Sequence, residues 1–369
     1  MTIAAVFASY VRPAVADSGL PECDLMVAPQ TIDELEHILD LASEHQLKAV
    51  IWGGGTHQGI GGRIDPDLLI ATSQLNRLID WQPEDFTVTV EAGMRVSDLE
   101  EMLADRGQMA VLPELPGAAT IGGVMAAGVS GWRRARYGPT RDRVLEVDLV
   151  TGDGRRVRAG GRVVKNVTGF DLPRLAVGSY GSLGVIAQAC LKLWPEPSTK
   201  VTVSVADGDR ALATAYRPTA VVESDGVAKV YLGGTEAEVD GQVEALDGTV
   251  VPGWSWEPEP TGVVGWSLRV PPASTRSAIE RLPSGWRYQA GLGVGEIKAA
   301  SVDAEGAAEL RAWAESQGGA LVIVSGPAGL YSDMDPWGTP PPGLDLQREL
   351  IRRFDPCRVV NPGRLPGGI

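Results

Sequence analysis

Three stretches of this chain are built from residues almost too small to do chemistry, and their smallness is the signal. The first is WGGGTHQGIGG, residues 52–62, which follows the apolar run LKAVI. Glycine costs about 0.5–1 kcal/mol per residue against alanine in regular structure. A chain keeps such a run where bare backbone is needed, as when amide N–H groups close on a diphosphate. The second stretch is PGAATIGG, residues 116–123, with Thr120 as its only hydroxyl. The third spaces glycines 178, 181 and 184 among small residues ahead of the apolar run VIAQACL. A packing turn is the plain alternative for any one of them.

The usual nucleotide motifs do not fit. A Rossmann fingerprint needs its glycines to open a helix that carries the pyrophosphate. Here the loop runs into GIGGRIDPDLLIATSQL, where the glycines and Pro66 forbid a helix. A P-loop needs Gly-Lys-Ser/Thr, which is absent. Any phosphate cradle is therefore made of loop amides.

Other chemistry is thinly represented. The histidines are His37, His45 and His57, and none follows residue 57. His37 and His45 fall among acidic residues on a helix and read as a solvated face. Cys23, Cys190 and Cys357 form no Cys-x-x-Cys pair. That argues against zinc, an iron–sulfur cluster or a disulfide framework, and fits a reducing cytoplasm. No metal site is expected. The catalytic residues stay unassigned. Tyr288, Glu296 and Lys298 could handle a proton and Arg269 a carboxylate, but each reads first as a packing or surface residue.

The 369 residues carry a net charge of −14, which speaks against a nucleic-acid partner. A local exception is WRRARYGPTRDR, with five arginines from Arg133 to Arg143. It reads as a solvated face, with a docking patch or phosphate contact as the alternative. No run approaches the ~18 apolar residues of a membrane span. The N-terminus lacks the basic flank of a signal peptide and is read as structure.

The elements that must position these loops are legible. TIDELEHILDLASEHQ is a helix with a Thr31/Glu34 capping box and an apolar stripe. FTVTVEAGMRVSDLEEML reads as strand, turn and a helix capped by Ser97 with Glu100. VLEVDLV and RRVRAG flank TGDG as a hairpin. From about residue 201 the order strand-helix-strand-strand-helix-strand is written twice, the first copy's last strand being poorly marked. This predicts an α+β chain with a duplicated ferredoxin-like cap. Trp254, Trp256 and Trp266 are read as core or interface packing rather than as ring-stacking residues. The expected division is 1–200, 201–330 for the cap, and a C-terminal return over 331–369.

The three small-residue segments, in this order and spacing, resemble the FAD-binding domain of the vanillyl-alcohol oxidase (p-cresol methylhydroxylase) superfamily. Within it they are similar to the FAD-binding subunits of bacterial glycolate oxidases. The resemblance covers about the first 200 residues and the last 30. It rests on Gly53-Gly54-Gly55-Thr56, Pro116-Gly117 with Thr120-Ile121-Gly122-Gly123, Ser130-Gly131, Arg136-Tyr137-Gly138, residues 160–186 and NPGRL at 361–365.

The resemblance implies a two-part FAD-binding domain of the p-cresol methylhydroxylase type. The first loop (Trp52 to His57, and Gly59) and the Pro-Gly segment would grip the pyrophosphate. Ala127, the Ser-Gly and the Tyr-Gly pieces would lie along the ribityl and isoalloxazine. Gly181, Gly184, Val185 and Ile186 would meet the adenine side, with Lys165, Asp171 and Asn361 also at the cofactor. Thr56 stands where histidyl relatives carry their flavin-linked histidine, so FAD should be non-covalent, with His57 near the pyrophosphate or turned outward. Hydroxy-acid-oxidising relatives bring a histidine cluster from the later half, which this chain lacks.

The expected role is thus an FAD-binding subunit that relays electrons and is inactive on substrate alone. It would work beside a homologous catalytic flavoprotein and an iron–sulfur subunit, in the cytoplasm or at the inner membrane face through those partners. A self-sufficient FAD-dependent oxidoreductase, or a scaffold with structural FAD, are the alternatives.

Overall fold

The computed structural model describes residues 3–11, 23, 25–115, 117–162 and 170–369. Pro116 and Lys165 lie outside the described residues. After a short helix α1 (Ile3–Val6), strand β1 (Met26–Val27) leads to α2 (Ile32–Glu44), β2 (Ala49–Trp52) and β3 (Leu68–Ala71). These strands form a parallel sheet in the order β1-β3-β2. Helix α2 buries Ile32, Leu35, Ile38, Leu39 and Ala42, and Thr31 Oγ1 accepts the Glu34 N–H. Such a cap contributes about 1 kcal/mol. The chain end returns here, since Ala49 N–H donates to Val359 O and Asn361 N–H to Ala49 O.

The second lobe runs through β4 (Leu78–Gln82), β5 (Thr87–Glu91), α3 (Val96–Ala104), β6 (Gln108–Met109), α4 (Ile121–Ala127) and α5 (Arg134–Tyr137). It continues with β7 (Val144–Val150), β8 (Arg156–Gly160), α6 (Leu172–Ala176), β9 (Val185–Lys192) and β10 (Trp194–Pro195). Its five-stranded sheet has the order β4-β5-β9-β7-β8, and β6 pairs with β10. The expected hairpin is β7 with β8. Ser97 is not the cap of α3. A bridge between Arg95 and Thr120 holds residue 95 extended, so the helix starts at Val96 and Ser97 falls inside the first turn.

The cap is β11 (Thr199–Val205), α7 (Gly208–Thr214), β12 (Ala220–Ser224), β13 (Val227–Gly234), α8 (Glu236–Ala245) and β14 (Gly248–Pro252). Its second copy is β15 (Val264–Arg269), α9 (Thr275–Glu280), β16 (Arg287–Gly291), β17 (Glu296–Ser301), α10 (Ala307–Ser316) and β18 (Ala320–Ser325). All eight strands form one sheet, β14-β11-β13-β12-β16-β17-β15-β18. Each half has its fourth strand outside its first, then the third and second, and the two second strands join at the middle. That is a duplicated ferredoxin-like sheet. The poorly marked strand is β14, exposed throughout at the sheet edge, where no apolar face is required.

Strand alternation decides what the cap offers. In the β15–β17 register, Trp266 opposes Ala299 and Leu268 opposes Ile297, all buried in the cap core. The alternate pairs, Ser267 with Lys298 and Arg269 with Glu296, fall on the other face. The tryptophans pack: Trp266 stacks on Trp286 at 5.0 Å and Trp256 on Tyr231 at 3.8 Å. Trp254 donates to Leu232 O. Helices α11 (Ala328–Asp333) and α12 (Leu344–Phe354) complete the chain.

Candidate functional site

The glycine loop leaves β2 and lines a cavity of about 690 Å³. Gly53 to Gln58 form one wall; Gly122, Gly123, Ala126 and Ala127 of α4 form another. Tyr180, Gly181, Gly184, Val185, Ile186, Asn361 and Arg364 close it. Among the described residues, the N–H groups of Gly53 through His57 have no protein acceptor. The α4 amides are taken: Ile121 donates to Met94 O, Gly122 to Ala92 O and Gly123 to Thr120 Oγ1. The free donors therefore belong to the loop. An adjoining cavity, lined by Trp52, Gly53, Gly54, Ser73, Arg95 and Thr120, holds a buried Ser73 Oγ without a partner among the described residues.

Two glycines serve loop packing. A Cβ on Gly54 would stand 1.5 Å from Ala118 O, so only glycine lets the first two small-residue segments touch. A Cβ on Gly122 would stand 2.7 Å from the Ala92 Cβ. Sequence reasoning missed the second layer of this wall. Arg364, buried, donates to Gln58 O at 2.7 Å and to Gln58 Oε1 at 2.9 Å. Gln58 Nε2 donates to Ile51 O. Asn361 donates to Tyr180 O and accepts from Ile51 N–H, so both ends of its amide are used in holding backbone.

Several expected cofactor residues are not brought to the cavity. Ile121 is fully buried in the core. Gly117 lies at the surface with no neighbour around its missing Cβ. Gly59 accepts from Tyr331 Oη and packs against Val324 and Ser325 of the cap. Ser130 bonds Thr140, and Gly131 lies against Glu114. Arg136 reaches Gly233 O, Tyr137 packs edge-on to Trp194, and Gly138 accepts from Arg143. Asp171 caps α6.

Nor is the arginine run a solvated face. Arg133 pairs with Glu114 at 2.5 Å and with Glu100 at 3.5 Å. Arg143 is buried, and burial pushes its guanidinium down to about 10. Arg141 alone of the five is left largely exposed, beside Asp142.

A cleft of about 830 Å³ opens from the cradle toward the cap, sharing His57, Ala127 and Tyr180 with it. The outward face of β15 and β17 supplies Ser267, Arg269, Glu296 and Lys298, with Glu259 at the rim. Three of the four cap candidates thus meet. Tyr288 does not, because its register with Ala299 turns it to the helix-covered face, where it bonds Glu223. Glu296 is held by Arg134 at 2.8 Å and Lys298 by Glu259 at 2.5 Å. The Arg269 side chain has no hydrogen bond or ion pair among the described residues, and its charge acts on the Tyr180 hydroxyl, whose pKa burial raises.

His57 points into this cleft, neither at open solvent nor only at the loop. A ring nitrogen, Nδ1, lies 2.8 Å from Thr56 Oγ1. Burial pushes its pKa down to about 4, against the pull of Glu259 and with the help of Lys298. The imidazole is neutral at pH 7.

Residues 23–160 match the FAD binding domain family. This segment is an FAD-binding domain. Among curated relatives, glycolate oxidase subunit GlcD of Bacillus subtilis is 35% identical over 49% of this chain and 39% of its own length. Glycolate oxidase subunit GlcE of Escherichia coli is 28% identical over 78% of this chain and 84% of its own. A probable mitochondrial D-lactate dehydrogenase of Danio rerio is 32% identical over half of this chain and 39% of its own length. The chain thus matches about two fifths of the length of GlcD and of the D-lactate dehydrogenase. A solved alkyldihydroxyacetonephosphate synthase matches in fold, with a TM-score of 0.65 at 16% identity over 92% of this chain and 77% of that one.

The FAD-binding domain fits its cofactor on structural grounds. Five consecutive loop residues that line the cavity carry amides with no acceptor among the described residues, the kind of donor set a diphosphate requires. Among the described residues no cluster of His, Cys, Asp or Glu could hold a metal. No described helix is long and apolar enough to cross a membrane.

Proposed function

We propose that this chain is the FAD-carrying subunit of a glycolate-oxidase-like 2-hydroxy-acid dehydrogenase. It relays electrons beside a homologous catalytic flavoprotein subunit and an iron–sulfur subunit. The observation that carries this reading is the extent of the likeness to GlcE, 78% of one chain and 84% of the other. An alignment of 307 residues is too long to be confined to the cofactor half. Residues 1–200 and 331–369 form that half, with 201–330 as the cap.

FAD, bound without a covalent link, supplies a two-electron acceptor. The N–H groups of residues 53–57 hold its diphosphate. The walls at Gly122, Gly123, Gly181, Gly184, Val185 and Ile186 shape the cavity, and Asn361 and Arg364 fix the backbone behind it. Three dispersed cysteines suit a cytoplasmic protein, tethered to the inner membrane face through its partners.

Anaerobic reduction tests the reading. Dithionite should bleach the isolated flavoprotein, glycolate and lactate should not, and both partners together should restore hydroxy-acid oxidation. Rapid bleaching by substrate in the isolated chain would overturn the relay. A second reading, that this chain oxidises a hydroxy acid itself, is favoured by one observation: an unpaired Arg269 shares the cleft with a neutral His57.

A further inference from the structure

His57 enters from the cofactor loop, yet its ring lines the wall of the cap-side cleft as well as the cradle. Thr56 Oγ1, at 2.8 Å, can accept the Nδ1 proton and fix the tautomer that leaves the Nε2 lone pair free. Nε2 has no partner among the described residues. The charges facing the ring come from every wall. Glu259 and Lys298 of the cap form an ion pair with each other, and Glu296 is occupied by Arg134. Tyr180 and the unpaired Arg269 complete the cleft. Among the described residues of the cleft, a hydroxy acid lodged here would find one free cation for its carboxylate and one free base for its hydroxyl.

We propose that His57 Nε2 is the proton acceptor for a 2-hydroxy carboxylate bound through Arg269, with Thr56 as its positioning residue. The hydroxyl proton would pass to Nε2 as the carbon–oxygen bond becomes a carbonyl, and FAD, when bound, would supply the two-electron acceptor for the C2 hydrogen and its electron pair. The proposal rests on the second reading above, in which the chain oxidises substrate itself in place of the relay, and supplies from the flavin loop a histidine that the later half of the chain lacks. Burial keeps the imidazole unprotonated at neutral pH, ready to accept.

Oxalate, a non-reactive dianion, tests this without turnover. Calorimetry of the FAD-loaded protein in buffers of different ionisation enthalpy measures protons taken up on binding. A bound dianion raises the pKa of an adjacent imidazole. Proton uptake is therefore expected at pH 6 and should be near zero at pH 8. His57→Gln should retain its flavin spectrum, bind oxalate several-fold more weakly at pH 6 and take up no proton. Thr56→Val, altering an exposed side chain, should reduce the uptake while keeping flavin. Oxalate binding in the wild type without proton uptake would overturn the role of His57 and leave the substrate cleft standing. No oxalate binding at either pH would overturn both. Uptake that persists in His57→Gln would assign the proton to another group and reject the proposal.

Discussion

Arg134 Nη1 donates to Glu296 Oε2 at 2.8 Å, and the bond pins the cofactor half of the molecule to cap strand β17. Glu296 is buried, with 7% of its side chain exposed, while Arg134 keeps 29%. Removing the guanidinium leaves a buried carboxylate without its charged donor, at a cost of about 1.5–3 kcal/mol. Arg134→Ala should lower the melting temperature and speed FAD loss on dialysis, and Arg134→Lys should recover part of both. Adding Glu296→Gln to Arg134→Ala should cost less than the sum of the two single changes. Strict additivity would show that the contact does not couple the halves.

The two glycines at the cradle answer to different neighbours, and substitution should separate them. Gly54→Ala sets a Cβ 1.5 Å from a backbone oxygen, which cannot yield as a side chain can, so the loops must part. Flavin occupancy should fall several-fold. Gly122→Ala instead meets the Ala92 Cβ at 2.7 Å and the Ala92 backbone oxygen at 3.0 Å, and Ala92→Gly in the same protein, which removes the tighter contact, should recover most of the melting temperature and the flavin. If the double variant stays flavin-free, Gly122 is needed for approach of the cofactor and not for packing against Ala92.

The resemblance implies that Thr56 stands where histidyl relatives attach flavin, and His57 lines the cleft with its Nδ1 at Thr56. FAD should therefore come off without bond cleavage. Acid precipitation should leave a yellow supernatant and a colourless pellet; a yellow pellet would mean a covalent link.

What the sequence disclosed, and what it hid, follows from the range of the interactions. The duplicated cap was legible because each strand and helix carries its own periodicity. FAD was legible because three small-residue segments, in this order and spacing, resemble a known FAD-binding domain, where no single glycine run would have been enough. Ser97 and the arginine run were misread because their partners are distant in sequence. Arg95 is held extended by Thr120, and Arg134 finds its carboxylate 162 positions away. Arg364 lies in the NPGRL segment that carried the resemblance, but its role was hidden, since its acceptors belong to Gln58 and Ile60 at the other end of the chain. The cleft itself depends on strand register, which sets Arg269 and Lys298 on one face and Tyr288 on the other.

His57 should also leave a mark on stability against pH. Its pKa falls from 6.5 to about 4 on folding, chiefly through burial. Between those values the unfolded chain binds more protons than the folded one, so stability declines as pH drops. The contribution is whole above pH 6.5, shrinks by about 1.4 kcal/mol per pH unit below it, and has lost about 3 kcal/mol by pH 4. Glu100 and Asp355, whose carboxyl pKa values burial raises, also titrate, so the difference between wild type and His57→Gln, and not either curve alone, isolates the histidine. Urea unfolding from pH 7 to 5 should show a steeper decline for the wild type than for His57→Gln, with the two differing by up to about 2 kcal/mol in slope-derived stability at pH 5. Parallel curves would mean that the imidazole is as well solvated folded as unfolded, and that it does not sit in the closed cleft.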